Sequence, residues 1–135
     1  MNKAVKVFCG GSIKIQTLPD EAKESLSRIM EQGFTVLVGD APGVDSLIQK
    51  YLIDHEYENV VVYHMSRKMR YCLDKEWVKK PVANTGGRTA FTAKDVVMSG
   101  DCDYGLFVWD GASKGTAENM DRLKSMSKQF RLFRV

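Results

Sequence analysis

Two patterns of apolar residues alternate along the chain. Short apolar runs rich in β-branched and aromatic residues, typical of buried strands, are separated by segments in which apolar residues recur every three or four positions, as they do on one face of a helix. The apolar runs predict five strands, at Ala4–Cys9, Phe34–Val38, Val60–His64, Tyr104–Trp109 and Phe130–Val135.

The segments between these runs predict helices. The first opens at Pro19, is followed by two acidic residues that suit the positive end of a helix dipole, and is stopped by Gly33. The second follows from apolar residues at helical spacing between Val44 and Leu52. Two more are predicted over about 92–99 and 116–128, whereas 65–87 is predicted to be irregular or weakly helical.

Strands that alternate with helices form crossover connections and therefore a mainly parallel sheet. We predict an α/β fold with a five-stranded, mainly parallel sheet. The last strand alternates Arg131 and Arg134 with apolar residues, which indicates an edge position. The length of 135 residues suits one domain, so we expect residues 1–135 to form a single unit.

The composition indicates which cellular compartment and which classes of partner to expect. No apolar run approaches the roughly 20 residues needed to cross a bilayer, and the N-terminus lacks a secretory apolar segment. The three cysteines have no metal-like spacing and indicate reduced thiols in a cytoplasmic protein. Neither a metal nor a membrane partner is expected. The net charge of +3 is too small to indicate nucleic-acid binding, so a nucleic acid is expected to be an unlikely partner.

The unusual loops all follow the carboxyl ends of the predicted strands, whereas the loops at the other edge are short and plain. In open α/β sheets, ligands bind at the carboxyl edge, where the crossovers diverge. We therefore expect the site there. The loops concerned are Gly10–Ser12, Gly39–Asp45, the segment 65–91 and Asp110–Gly115.

The first loop offers Gly10, Gly11 and Ser12, which allow a phosphate or ribose to approach the backbone and supply a hydroxyl; a plain strand-to-helix turn is the alternative. It is not the GxGxxG dinucleotide fingerprint.

The second loop offers Gly39, Asp40, Gly43 and Asp45. Its carboxylates are either caps of the second helix or acceptors for ribose hydroxyls. Asp45 is also a candidate acid–base residue.

The segment from Met65 to Lys94 contains eight lysines or arginines with aromatic residues among them. Such a stretch is either solvated surface or a lid that neutralises phosphate and stacks on a base. We favour a partly mobile lid, with Arg88 as its anion contact.

The fourth loop joins a buried strand to a helix through a glycine turn, and this arrangement directs unpaired N–H groups and the positive end of a helix dipole at one point. It contains a GxSxG sequence, but a hydrolase triad needs a histidine after Ser113, and both His55 and His64 precede it. We therefore expect a phosphate-binding loop. Its candidate ligand contacts are Asp110, Gly111, Ser113, Lys114, Gly115 and Thr116.

Three stretches carry a family resemblance: VFCGGS, GDAPGVDSL and KDVVMSGDCDYGLFVWDGASKGTAENM. They resemble the SLOG superfamily, in particular small bacterial proteins related to YspA and YpsA. Wider relatives include the "lonely guy" phosphoribohydrolases and the DNA-processing protein DprA. The resemblance implies a Rossmann-like three-layer αβα sandwich, strand order 3-2-1-4-5, a nucleotide-type ligand as the small phosphorylated partner, and a homodimer, since relatives often dimerise.

The phosphoribohydrolases carry a PGGxGTxxE loop. Aligned here, Gly115 and Thr116 match as phosphate binders, the family glutamate falls on Asn119, and Glu118 lies one position early. Three functions stay open. The first is binding of a nucleotide or nucleotide-derived ligand, as a sensor or regulatory protein. The second is hydrolysis or transfer at an N-glycosidic bond, with Asp45 or Glu118 as catalytic residues. Binding of single-stranded DNA is the weaker third.

Overall fold

The computed structural model describes residues 5–66, 69–83 and 90–135. Strands and helices alternate through most of these residues. They are β1 (Lys6–Gly11), α1 (Asp20–Glu31), β2 (Thr35–Gly39), α2 (Val44–Asp54), β3 (Val60–Met65), β4 (Val78–Val82), α3 (Ala90–Asp101), β5 (Tyr104–Trp109), α4 (Lys114–Ser125) and β6 (Gln129–Arg134).

The strands form one parallel sheet in the order β4-β3-β2-β1-β5-β6. In its centre, Cys9 of β1 pairs with Val38 of β2 on one side and with Leu106 of β5 on the other. The chain has a Rossmann-like α/β fold. The predicted order of the five strands is confirmed, with the basic strand β6 at one edge.

The sixth strand, β4, is the main departure from the prediction, in which residues 65–87 are irregular or weakly helical. Its sequence, VKKPV, carries two lysines and a proline, and four of its five residues are exposed. Proline cannot donate a ladder hydrogen bond and is tolerated at a sheet edge, which is where β4 lies. An exposed edge strand has no alternation of apolar and polar residues to reveal it.

Alternate residues of the strands supply two cores, because successive side chains point to opposite faces of a sheet. On one face, Val36 and Val38 pack in a cluster with Leu26 of α1 and Ile48 of α2. On the other, buried apolar side chains pack with those of α3 and α4. This second cluster includes Phe8, Leu37, Phe107, Met98 and Leu123.

Residues 69–83 pack on the body of the domain, so the prediction of a lid is wrong for this part. The side chain of Trp77 is 2% exposed, and its Nε1 donates a hydrogen bond to the carbonyl of Tyr57 at 2.9 Å. Buried Gln49 donates to the carbonyls of Gly39 and Tyr71 at 2.9 and 3.0 Å. Trp77 is therefore not free to stack on a base.

Candidate functional site

A cavity of about 420 Å³ opens at the carboxyl edge of the sheet. It lies where β1 stands between β2 and β5, the point at which the strand order reverses and crossovers leave in opposite directions. Its walls come from the loops after β1, β2 and β5 and from helices α3 and α4. The structure therefore brings the first, second and fourth candidate loops together.

Two serines fix the loop after β1 to the loop after β5. The hydroxyl of buried Ser12 is 2.9 Å from the hydroxyl of Ser113 and accepts a hydrogen bond from the Asp110 N–H at 3.1 Å. The Ser113 hydroxyl also donates to Thr116 Oγ1 at 3.2 Å. These bonds make one wall of the cavity, which Gly10 and Gly11 extend.

The glycine at position 11 allows this junction to be tight. A Cβ atom there would stand 2.1 Å from the Val108 carbonyl oxygen and 2.8 Å from a methyl group of Val44. No side chain fits in that space. Close packing therefore requires glycine at position 11, whether or not a ligand binds there.

Asp110 and Gly111 shape the turn and are not among the described residues that line the cavity. The Asp110 carboxylate accepts hydrogen bonds from the N–H groups of Ala112 and Ser113, both at 2.8 Å, and these bonds lower the pKa of Asp110. Gly111 has a φ of +83°, and a Cβ atom on it would meet the guanidinium of Arg134. Both residues therefore fix the conformation of the turn that carries the candidate phosphate contacts.

Helix α4 begins at Lys114, two residues earlier than predicted, so Lys114, Gly115 and Thr116 form its first turn and line the cavity. The side chain of the capping residue, Ser113, makes no capping hydrogen bond. The first N–H groups of a helix have no partner within the helix and carry its partial positive charge. The exposed ammonium of Lys114 adds a full charge at the same wall.

The two candidate glycines of the second loop, Gly39 and Gly43, make room for neighbouring groups. A Cβ atom on Gly39 would come 2.5 Å from Asp45 Oδ2 and 2.7 Å from Lys94 Nζ, so this glycine makes room for a charged pair. Gly43 precedes α2 with a φ of +79°, and a Cβ atom there would meet the backbone of Ile13.

Asp40 is fully buried and serves as an anchor. Its carboxylate accepts hydrogen bonds from the backbone N–H of Arg70 at 2.7 Å and from the Arg70 guanidinium at 3.1 Å. Arg70, rather than Asp40, lines the cavity. Asp40 is not among the described residues that line the cavity, so a ligand contact of Asp40 stays a prediction.

A buried charged group forms another wall. Asp45 of α2 and Lys94 of α3 are 7% and 4% exposed, and Lys94 Nζ lies 4.0 Å from Asp45 Oδ2 and 3.4 Å from Asp95 Oδ1. Asn119 of α4, also buried, donates from Nδ2 to Asp95 Oδ2 at 3.3 Å. All four residues line the cavity.

Burial raises the pKa of Asp45 to about 6, because a carboxylate loses its hydration when it leaves water. The positive charge of Lys94 and the hydrogen bond from the Ala41 N–H oppose this rise, and the negative charge of Asp95 adds to it. Asp45 therefore changes its charge near pH 6, at the cavity wall.

Glu118 lies on the exposed side of α4, where its carboxylate is 3.6 Å from the Arg122 guanidinium. It is not among the described residues that line the cavity, whereas the next residue, Asn119, is. The structure therefore gives no support to Glu118 as a catalytic residue. Arg88 falls outside the described residues.

Sequence reasoning missed Lys94 and Asp95 as site residues. Lys94 had been grouped with the basic stretch of 65–94, although a lysine within the apolar turns of α3 is the available signal of a charge facing a cavity. Asp45, by contrast, was marked by its place in a glycine turn at the carboxyl edge.

Comparison with known proteins supports the fold. Neither a protein-family model nor a curated protein sequence matches this chain. A solved structure of DNA processing protein A from Helicobacter pylori, described for its single-stranded DNA binding mode, is similar with a TM-score of 0.65 at 13% sequence identity. The match covers 95% of this chain and 64% of that one, so the chain spans less than two thirds of the similar structure.

This likeness corrects one expectation. We expected a nucleic acid to be an unlikely partner on the ground of low net charge, and that is wrong as a general exclusion, because the similar structure is that of a protein that binds single-stranded DNA. Net charge averages over the whole surface and does not report a local arrangement of cations.

In the ranges 5–66, 69–83 and 90–135, no helix is long and apolar enough to cross a membrane. Within the same ranges, no three His, Cys, Asp or Glu side chains are grouped so that they could hold a metal ion.

Proposed function

We propose that the cavity binds a nucleotide or a nucleotide-derived phosphorylated ligand, as a sensor or regulatory protein would. The observation that carries this proposal is the first turn of α4, where Lys114, Gly115 and Thr116 line the cavity. Helix N-termini with free N–H groups and a nearby cation are established anion sites in proteins.

The size and position of the cavity support the same conclusion. Its volume of about 420 Å³ falls within the range of about 300–1,000 Å³ that small-molecule sites occupy. A phosphate at α4 would leave room for a sugar and a base towards α3. Membership of the SLOG superfamily is part of this proposal, since its sequence motifs supply the two loops that meet here.

The test is a binding experiment with the four ribonucleoside 5′-monophosphates, by thermal shift and by titration calorimetry. At a ligand concentration 100 times Kd, binding to the folded state alone adds about 2.7 kcal/mol of stability. We expect Lys114→Ala to weaken binding by about tenfold, as loss of a charge-assisted contact does.

The matched control is Lys124→Ala, which removes an exposed lysine from the last turn of the same helix. It should leave the affinity unchanged. Absence of binding by every nucleotide in the panel would contradict the proposal. Assaying the same samples for released base tests the enzymatic alternative, in which Asp45 acts as the acid–base group.

Binding of single-stranded DNA is a second candidate, favoured by the similar fold of DNA processing protein A. The test is fluorescence anisotropy with a labelled oligothymidylate at increasing salt. For single strands, the logarithm of affinity falls with the logarithm of salt by about 0.7 per phosphate neutralised. A steep slope that Lys114→Ala makes shallower supports this candidate, and absence of binding at low salt excludes it.

A further inference from the structure

The ammonium of Lys94 has hydrogen-bonding capacity that the described residues do not use. A lysine has three N–H donors. Among residues 5–66, 69–83 and 90–135, Lys94 Nζ donates only to Asp95 Oδ1, at a long 3.4 Å, and Asp45 Oδ2 at 4.0 Å is beyond hydrogen-bond distance. With 4% exposure, this side chain is largely withdrawn from bulk water, and the cavity that it lines is its described route to an outside partner.

A buried charge gains from each further hydrogen bond that it makes, so donors that the described residues leave open favour an acceptor in the cavity. Lys94 lines the cavity, and the cavity is where such an acceptor can reach it. A ligand acceptor in the cavity would complete the hydrogen bonds that the described residues leave open on Lys94.

Acceptors stand beside these donors. From the described part of the chain, the Asp45 carboxylate accepts one hydrogen bond, from the Ala41 N–H at 3.2 Å, out of about four that an ionised carboxylate can accept. Asp95 accepts from both Lys94 and Asn119 and also lines the cavity. One wall thus offers spare donors and spare acceptors within a few ångströms of each other.

The charge at this wall does not suit a second phosphate. Two carboxylates, Asp45 and Asp95, surround the single ammonium of Lys94, and they would repel another anion. A hydroxyl group is neutral and both donates and accepts hydrogen bonds, so it suits a wall that offers donors and acceptors together. Two neighbouring hydroxyls would use the donors of Lys94 and the acceptor oxygens of Asp45 together.

We propose that Lys94 and Asp45 bind the vicinal hydroxyls of a ribose whose phosphate lies at the first turn of α4. This inference rests on the proposed nucleotide-binding function and specifies its ligand as a ribonucleotide rather than a deoxyribonucleotide. The cavity then has two subsites of different chemistry, cationic at α4 and mixed at α3.

The experiment compares each ribonucleoside 5′-monophosphate with its 2′-deoxy counterpart by titration calorimetry on the full chain. We expect the ribose form to bind about tenfold or more tightly, the factor lost with one hydrogen bond to a charged group. The comparison uses the wild-type protein, so it does not depend on whether a variant folds.

Two variants assign the preference to its residues. Lys94→Met keeps the length and apolar stem of the side chain but removes all donors, and Asp45→Asn keeps the shape but removes the charge. Each should bring the ratio of ribose to deoxyribose affinity towards one, because the ribonucleotide loses its contacts at both hydroxyls whereas the deoxyribonucleotide has only the 3′-hydroxyl contact to lose. Lys124→Ala should retain the wild-type ratio.

The outcomes separate this inference from the function on which it rests. Equal affinity for ribose and deoxyribose forms overturns the inference and leaves nucleotide binding intact. A preference that persists in both variants also overturns it, because other groups would then read the hydroxyls. Absence of binding by every nucleotide overturns the proposed function and the inference together.

Discussion

Substitution of Asp45 by asparagine should stabilise the ligand-free protein at neutral pH. Burial raises the pKa of the Asp45 carboxyl from 3.8 to about 6 in the folded protein. A carboxyl group with a raised folded-state pKa gives its full contribution to stability below pH 3.8, where it is protonated in both states. That contribution is lost progressively between pH 3.8, where the unfolded chain releases its proton, and about pH 6, above which the folded state is ionised as well.

The size of the effect follows from the same values. A rise from 3.8 to about 6, at about 1.4 kcal/mol per pKa unit, corresponds to about 3 kcal/mol at pH 7 and to about 0.5 kcal/mol at pH 4. The introduced asparagine cannot ionise, and its side-chain oxygen would still accept the hydrogen bond from the Ala41 N–H. Asp45→Asn should therefore be more stable than the wild type by this pH-dependent amount.

The assay is urea unfolding of both proteins at pH 4, 5, 6 and 7. The control is Asp54→Asn on the same helix, which removes an exposed carboxylate paired with Lys50 and should change stability by at most about 0.5 kcal/mol. A stability difference between Asp45→Asn and the wild type that does not change with pH would refute the reasoning. It would mean that Asp45 titrates as it does in the unfolded chain.

Other predictions concern packing. Gly11→Ala should destabilise the protein by about 2 kcal/mol or more in urea unfolding, because its Cβ atom would stand 2.1 Å from the Val108 carbonyl oxygen. Gly100→Ala is the matched control: it lies within α3 with nothing within 4 Å of the new atom, and it should gain up to about 1 kcal/mol. Asp40→Ala removes two hydrogen bonds to Arg70 and should cost about 2–3 kcal/mol; a loss below about 0.5 kcal/mol on the same assay, roughly that of an exposed ion pair, would argue against the anchor.

The spacing of apolar residues predicted the buried part of the fold, because a strand or helix needs regularly spaced apolar residues only where one of its faces is buried. Five strands were found from their apolar runs, whereas β4 was not, since its exposed residues Lys79 and Lys80 need no apolar alternation. A related reason explains why the lid prediction is wrong for residues 69–83, where the aromatic side chain of Trp77 is buried. It lies in a polar stretch, and its indole hydrogen-bonds to a carbonyl from the loop before β3, a contact that no local pattern encodes.

Residues of the candidate site were predicted where their position follows from the succession of strand, turn and helix. They were missed where their position depends on how helices pack on the sheet. Strand–turn–helix order located Lys114 and Thr116 at the carboxyl edge. The inward direction of Lys94 depends on how α3 rests on the sheet. Which of Glu118 and Asn119 faces the cavity depends on the start of α4, which the sequence placed two residues too late.

The most direct test of nucleotide binding in this cavity is an NMR titration of ¹⁵N-labelled protein with the ribonucleoside 5′-monophosphate that binds most tightly. We predict that the largest amide shifts fall on Lys114, Gly115 and Thr116, with further shifts at Asp45 and Lys94. Amides at the far end of α4 should not move. Shifts confined to another surface, or none at saturating ligand, would contradict the account.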